Sequence, residues 1–163
     1  MQLADNNGEP LDIVTLQASH LPILYEIVAL NDPTLPDMMK IDVMSWLSNP
    51  QKGEGYLTAI TDGRPVGMTG YKPDAWGVSD IGWLVWLYID PKYKRRGIAS
   101  RLFEAAQGLM KQAGVRKAYL DIGNADRQRD AIGFHEQGGF VCEGVLRDYW
   151  APGEDFLVYG KIL

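Results

Sequence analysis

The 163-residue chain is long enough to bury one sizeable core, and its length fits a single domain. It is 46% apolar and 23% charged, with a formal net charge of −5, which fits a globular protein and argues against general affinity for nucleic acid or anionic membrane. The lone Cys142 excludes an internal disulfide and a thiolate metal cluster, and no apolar run approaches the ~20 residues a bilayer span needs.

Residues 1–163 read as one domain, with the polar opening MQLADNNGE (1–9) open to disorder. That opening lacks the basic-then-apolar order of a secretory signal, so a reducing cytoplasm is the expected compartment. Leu11 to Leu16 is the first predicted strand. A helix follows, with Ser19 as its cap and Leu21, Leu24, Ile27 and Val28 on its inner face. NDPTLPD interrupts the chain, and Asp37 caps a second short helix through Trp46 and Leu47.

YLTAI and PVGMTGY flank Asp62-Gly63, a hairpin signal because glycine accepts positive φ at little cost. IGWLVWLYI is apolar at both alternating positions, which marks a central strand covered on both faces. Leu102, Phe103, Ala106, Leu109, Met110 and Ala113 then fall on one helical stripe. KAYLDI reads as a buried strand, and ADRQRDAIGFHEQGG as a helix ended by Gly138-Gly139. FVCEGVLRDYW and DFLVYGKIL close the chain as paired strands, with Cys142 as small core filler. The predicted order is β-α-α-β-β-β-α-β-α-β-β, a mixed α/β sheet with helices packed on it.

YKRRGIAS (93–100) sets three cations at the junction of the central strand and the next helix. A helix start exposes unpaired N–H groups and the positive end of its dipole, which makes it an anion site. Gly97 and Ala99 give clearance there, while Lys94, Arg95 and Arg96 add charge. Cations at a helix start oppose the dipole by about 0.3–1 kcal/mol unless an anion is bound, so the pattern favours a small anionic ligand with two close negative groups over a solvated surface. Neither a Gly-x-x-x-x-Gly-Lys-Ser/Thr loop nor a Gly-x-Gly-x-x-Gly loop opening a first βαβ unit is present. The two histidines, His20 and His135, stand far apart and give no recognisable metal site.

YIDPKYKRRGIASRLFEAA, followed by YLDI and AIGFHEQGGF, resembles the GNAT family of N-acetyltransferases, whose signature Arg/Gln-x-x-Gly-x-Gly/Ala is matched by Lys94 to Ala99. The resemblance implies a mostly antiparallel mixed sheet of about seven strands with four helices and a splay between the fourth and fifth strands. It implies acetyl-CoA as cosubstrate and no metal. The backbone of Leu87 and Ile89, with Tyr88 between them, would hold the pantetheine arm, and the Leu87 N–H would donate to the thioester oxygen. Amides of Arg95, Arg96, Gly97, Ile98, Ala99 and Ser100 would cradle the diphosphate beside Lys94. Asn124, Gln128 and Phe134 complete the implied coenzyme contacts.

The resemblance also implies a tyrosine acid where this chain has His135, and an asparagine where it has Gln128. His135 is thus the candidate general acid, or alternatively a packed helix residue. Many relatives keep a glutamate in the central strand, but no carboxylate lies between Ile81 and Ile89, which leaves Asp80 as a base acting through water, with Asp148 and Glu154 as further acids. Trp76, Trp83, Trp86, Trp150, Tyr71, Tyr88 and Tyr149 either line an acceptor pocket or pack the sheet. The expected activity is transfer of an acetyl group to a primary amine of a small molecule or peptide by direct attack on the thioester. The other class is an acyl-CoA-binding regulatory module with little transferase activity. A homodimer through the terminal strands is left open.

Overall fold

The computed structural model describes residues 3–123 and 129–163. Its strands are β1 (Leu3–Ala4), β2 (Pro10–Thr15), β3 (Gly55–Thr61), β4 (Arg64–Pro73), β5 (Ile81–Ile89), β6 (Lys117–Ile122), β7 (Val141–Ala151) and β8 (Glu154–Ile162). Its helices are α1 (Leu21–Asn31), α2 (Pro36–Ser48), α3 (Ile98–Gln112) and α4 (Arg129–Gln137), with short 3-10 turns at Ala18–His20 and Pro91–Tyr93. The strands form one sheet in the order β1-β2-β3-β4-β5-β6-β8-β7. All neighbours are antiparallel except β5 and β6, which run parallel across the α3 crossover.

Two cores sandwich this sheet. On one face, Leu102, Phe103, Ala106 and Met110 of α3 meet Leu84, Ile89, Ala118, Leu120 and Ile122. On the other, Leu24, Ile27 and Val28 of α1 and Met39 and Val43 of α2 meet Tyr56 and Met68. No member of the second core comes from β6, β7 or β8, so α1 and α2 cover only the first part of the sheet. The turn between β3 and β4 has φ of 51° at Asp62 and 71° at Gly63, the left-handed pair that a two-residue hairpin requires.

The structure differs from the sequence reading in five places. Leu109 and Ala113, expected on the inner stripe of α3, are exposed because they fall at its edge and end. Residues 3–9 form β1 and a turn whose Asp5 is buried. Ser19 falls inside a 3-10 turn preceding α1, and the Gln17 N–H donates to His20 Nδ1 at 3.1 Å. Asp37 lies within the first turn of α2 and accepts from the Tyr25 hydroxyl at 2.8 Å, while Leu35 holds the cap position. Cys142 is exposed, because β7 is an edge strand with little laid over it. Among the described residues, no helix is long and apolar enough to cross a membrane.

Leu102 is 0% exposed and Leu30 is 67% exposed. Leu102→Ala is expected to lower the unfolding free energy by about 2–5 kcal/mol, and Leu30→Ala by no more than about 0.5 kcal/mol, in urea titrations followed by circular dichroism.

Candidate active site

The parallel ladder between β5 and β6 holds for three residue pairs, Ile81 with Lys117, Gly82 with Ala118 and Trp83 with Tyr119, and then ends. The cause lies on the other side of β5. The ladder to β4 passes from Met68 opposite Tyr88 to Gly70 opposite Val85, so Trp86 and Leu87 together face the single residue Thr69. Such a bulge bends its strand and breaks regular pairing. Trp86 takes φ 57°, a left-handed conformation that costs a bulky residue on the order of 1–3 kcal/mol. Side chains hold it there: the indole Nε1 donates to Asp42 Oδ2 at 2.8 Å, and Lys72 pairs with the same oxygen at 2.7 Å. The Thr69 hydroxyl donates to the Val85 carbonyl at 3.3 Å.

Beyond the last shared pair the two strands border a cleft. Ala118, Leu120 and Ile122 turn toward α3, so by alternation Asp121 lies on the opposite face. Burial pushes the Tyr88 hydroxyl up to about 12, and the charges of Asp32 and Asp121 add to the rise, so each carboxylate is within electrostatic reach of that hydroxyl. Burial likewise holds the Asp121 carboxyl above the usual carboxylate range, with its own backbone N–H pulling it back. Solvent still reaches Asp121.

Where β5 ends, Asp90 caps the Pro91–Tyr93 turn by accepting from the Lys92 N–H at 3.0 Å. Arg95 and Gly97 follow at φ 63° and 76°, one on each side of Arg96. The α3 ladder opens with the Arg101 N–H donating to the Gly97 carbonyl at 3.2 Å, so the N–H groups of Ile98, Ala99 and Ser100 precede it, and no side chain caps them. Lys94 and Arg95 are exposed. Arg96 turns inward, pairs with Asp5 at 3.2 Å and Glu9 at 3.3 Å, and lies over the Tyr93 ring at 4.9 Å. The three cations that stand together in the sequence therefore divide, two outward and one tied to the N-terminal turn.

The other sequence candidates fall in different settings. Leu87 sits in the bulge, and the buried Ile89 offers its carbonyl to Asn31 Nδ2 at 2.9 Å. Asp80 stands at the closed end of the β5–β6 pair, where its bond to Arg116 at 2.8 Å holds its carboxyl below the usual range. Asn124 and Gln128 lie outside the described residues. His135 is buried against Phe103, Phe134 and Phe140, with ring centroids at 5.1, 5.2 and 6.0 Å, and its Nδ1 has no partner among the described residues. Burial pushes its pKa down to about 4, so the ring is neutral at pH 7.

Of the aromatic residues, Trp83 stacks on Tyr119 at 5.3 Å, whereas exposed Tyr149 and Trp150 cluster with half-buried Phe156 on the β7–β8 hairpin. Trp76 is 93% exposed. Two shallow concavities of about 210 and 240 Å³ lie by the C-terminal half of α3, away from the splay. Among the described residues no cluster of three or more His, Cys, Asp or Glu could hold a metal ion. Sequence reasoning missed Asp32, Asp121 and Asp5. Only Asp121 gave a signal, as a lone acid on the outward-alternating positions of KAYLDI.

The setting of His135 has a consequence for stability. The folded ring titrates at about 4 and an unfolded one at about 6.5, so the unfolded chain takes up this proton first as pH falls. Its part of the stability is complete above pH ~6.5 and is lost toward pH ~4, by on the order of 3 kcal/mol. His135→Phe should flatten that part of the stability–pH curve in urea titrations, and a ring seen by NMR to titrate near 6.5 in the folded chain would contradict it.

Residues 21–140 match the model of the acetyltransferase (GNAT) family. The chain is 28% identical to an N-alpha-acetyltransferase of Saccharolobus solfataricus, over 91% of this chain and 93% of that one. Its fold matches that of Ard1 from Thermoplasma volcanium with a TM-score of 0.77 at 18% identity, covering 94% of this chain and 97% of the other. It also matches an aminoglycoside 6'-N-acetyltransferase solved with coenzyme A, with a TM-score of 0.78 at 15% identity and 93% and 96% coverage. With most of the chain inside the family match, and with the parted strands and amide-lined turn at its centre, this protein belongs to the GNAT family of acetyltransferases.

Proposed function

We propose that this chain transfers the acetyl group of acetyl-CoA to the α-amino group of a peptide or protein N-terminus. The observation that carries the reading is the division of charge around the parted strands. Exposed Lys94 and Arg95 flank the uncapped start of α3, while Asp32 and Asp121 gather at Tyr88. The first setting suits a diphosphate and the second an ammonium group. The similarity to an N-alpha-acetyltransferase over most of both chains supports an α-amine as acceptor.

The residues present fit the coenzyme. The N–H groups of Ile98, Ala99 and Ser100 would take the diphosphate, with Lys94 and Arg95 beside them. The β5–β6 ladder, which ends after Trp83 and Tyr119, leaves a strand edge against which an extended amide-bearing arm would lie. When bound, the thioester supplies an activated acyl carbon and a thiolate leaving group.

The chain's own residues have three tasks. Leu87 N–H, inside the bulge, is the donor we assign to the carbonyl oxygen, a preplaced dipole for charge that develops there. Asp121 accepts the proton that the ammonium must lose, directly or through one water. An α-amino group has a pKa of about 7.7–8.0 against about 10.4 for lysine, so it is the less demanding of the two amines for a carboxylate base. Tyr88 stays protonated and helps seat the ammonium between Asp32 and Asp121. In the net reaction a C–N bond forms and the C–S bond breaks; the ammonium gives one proton to Asp121 and then to solvent, and the second N–H proton, lost after attack, ends on the released CoA thiol.

The test follows CoA release with peptides bearing a free N-terminus or an acetylated one plus an internal lysine. The free N-terminus should turn over at least ~100-fold faster. Asp121→Asn should lower kcat by ~10²–10³ with the acetyl-CoA KM changed less than about twofold. Equal turnover of both peptides refutes the α-amine assignment, and an Asp121→Asn enzyme within about threefold of wild type refutes the base.

A further inference from the structure

The N-terminal turn reaches across 91 positions of sequence to grip the loop at the head of α3. Asp5 organises it: Oδ1 accepts from the N–H groups of Asn7 at 2.8 Å and Glu9 at 2.9 Å, while Oδ2 accepts from Arg96 Nη1 at 3.2 Å. The Asp5 side chain is 0% exposed and that of Arg96 is 22% exposed. The Asn6 N–H donates to the Arg96 carbonyl at 2.9 Å. Asn6 Oδ1 stands 2.7 Å from the point where a Cβ on Gly97 would lie, so any side chain there would strike it. Glu9 adds a second carboxylate to Arg96 at 3.3 Å.

These contacts fall on Arg96 and Gly97, the centre of the left-handed pair Arg95 and Gly97. A left-handed arginine costs about 1–2 kcal/mol and does not hold itself in place. For the loop to aim its amides at one point before a ligand arrives, something outside it must fix the turn. The N-terminal turn supplies a backbone bond, an ion pair with a buried acid and the Asn6 side chain packed close over Gly97, all from residues 5–9.

We propose that Asp5 and Asn6 are positioning residues for the diphosphate-binding loop, with Arg96 serving as the tie between the two segments and not as a ligand to phosphate. This rests on the acetyl-CoA reading above. The alternative geometry, in which the acidic turn competes with the diphosphate for Arg96, predicts the opposite sign: loosening the turn would then tighten coenzyme binding.

The test is calorimetric titration with CoA, alongside kinetics with acetyl-CoA and with acetyl-pantetheine, which lacks the diphosphate. Asp5→Asn and Arg96→Ala are each expected to weaken CoA binding at least tenfold (about 1.4 kcal/mol). The double variant should be no worse than either single one, because both break the same tie. The acetyl-CoA KM should rise while kcat falls less than about threefold, and acetyl-pantetheine turnover should fall far less than acetyl-CoA turnover.

Removing one partner of a buried pair strains the fold. Asn6→Gly, which buries no charge and keeps the backbone donor, therefore provides a second arm, with an expected loss of about threefold or more in CoA affinity and an unchanged melting temperature. Asp5→Asn or Asn6→Gly proteins that bind CoA as wild type does, or more tightly, overturn the proposal. So does a loss on Arg96→Ala that Asp5→Asn does not share, because Arg96 would then touch phosphate itself. Wild type that takes up no CoA overturns the coenzyme assignment and this proposal with it, whereas failure confined to the variants leaves the coenzyme assignment standing.

Discussion

The bulge at Trp86–Leu87 is the constraint on which the site depends. A regular β5 would continue its parallel ladder with β6 past Trp83 and Tyr119 and close the cleft. Setting two residues opposite Thr69 bends the strand and ends the pairing. The opening is an unpaired strand edge in the interior of a sheet, where free N–H and C=O groups are costly unless something pairs with them. Asn31 takes the Ile89 carbonyl and Thr69 takes that of Val85, so the protein itself satisfies part of β5 here. The left-handed Trp86 persists because Asp42 binds its indole and is itself fixed by Lys72.

Charge is arranged about this opening by sheet face. α3 and its basic head lie on the face of Leu84, Ala118 and Leu120, while Asp121 alternates to the other. α1 and α2 cover that second face only as far as β5, which leaves Asp121 reachable by a second reactant. An overall charge of −5 is compatible with an anionic cosubstrate because the local field at the α3 head is set by Lys94, Arg95 and unpaired N–H groups. Arg96 contributes little to that field, because Asp5 and Glu9 neutralise it.

Much of the fold was legible in the sequence because it follows from local chemistry. KAYLDI became β6, Asp62-Gly63 gave the expected hairpin, and the α3 stripe is buried at Leu102, Phe103, Ala106 and Met110. The strand–loop–helix junction could be recognised because its cations and glycine are contiguous. What could not be read were contacts between distant residues. Asp5 and Arg96 are 91 positions apart, so a polar N-terminus looked unstructured when its acid is in fact buried. Asp121 is one of three outward positions on β6, and only the place where β5 departs decides which of them borders the cleft. Cys142 follows the same logic: alternation suggests a buried position, but the outermost place of β7 removes the cover.

The histidine at the tyrosine position then bears on how demanding the chemistry is. His135 is neutral and surrounded by phenyl rings, so it cannot deliver a proton as a cation near pH 7. A thiolate whose thiol has a pKa of about 8.5 leaves without full protonation, and an α-amine of pKa about 7.7–8.0 is already partly free base at neutral pH. Neither end of the reaction needs a strong acid or a strong base, so most of the barrier lowering must come from holding the amine and the carbonyl in line within a preformed field. The chain is built accordingly. Its strained or buried polar features — left-handed Trp86 and Arg95, buried Asp5, bulge-facing Thr69 — fix backbone positions, and the reaction we propose asks of Asp121 only that it accept a proton.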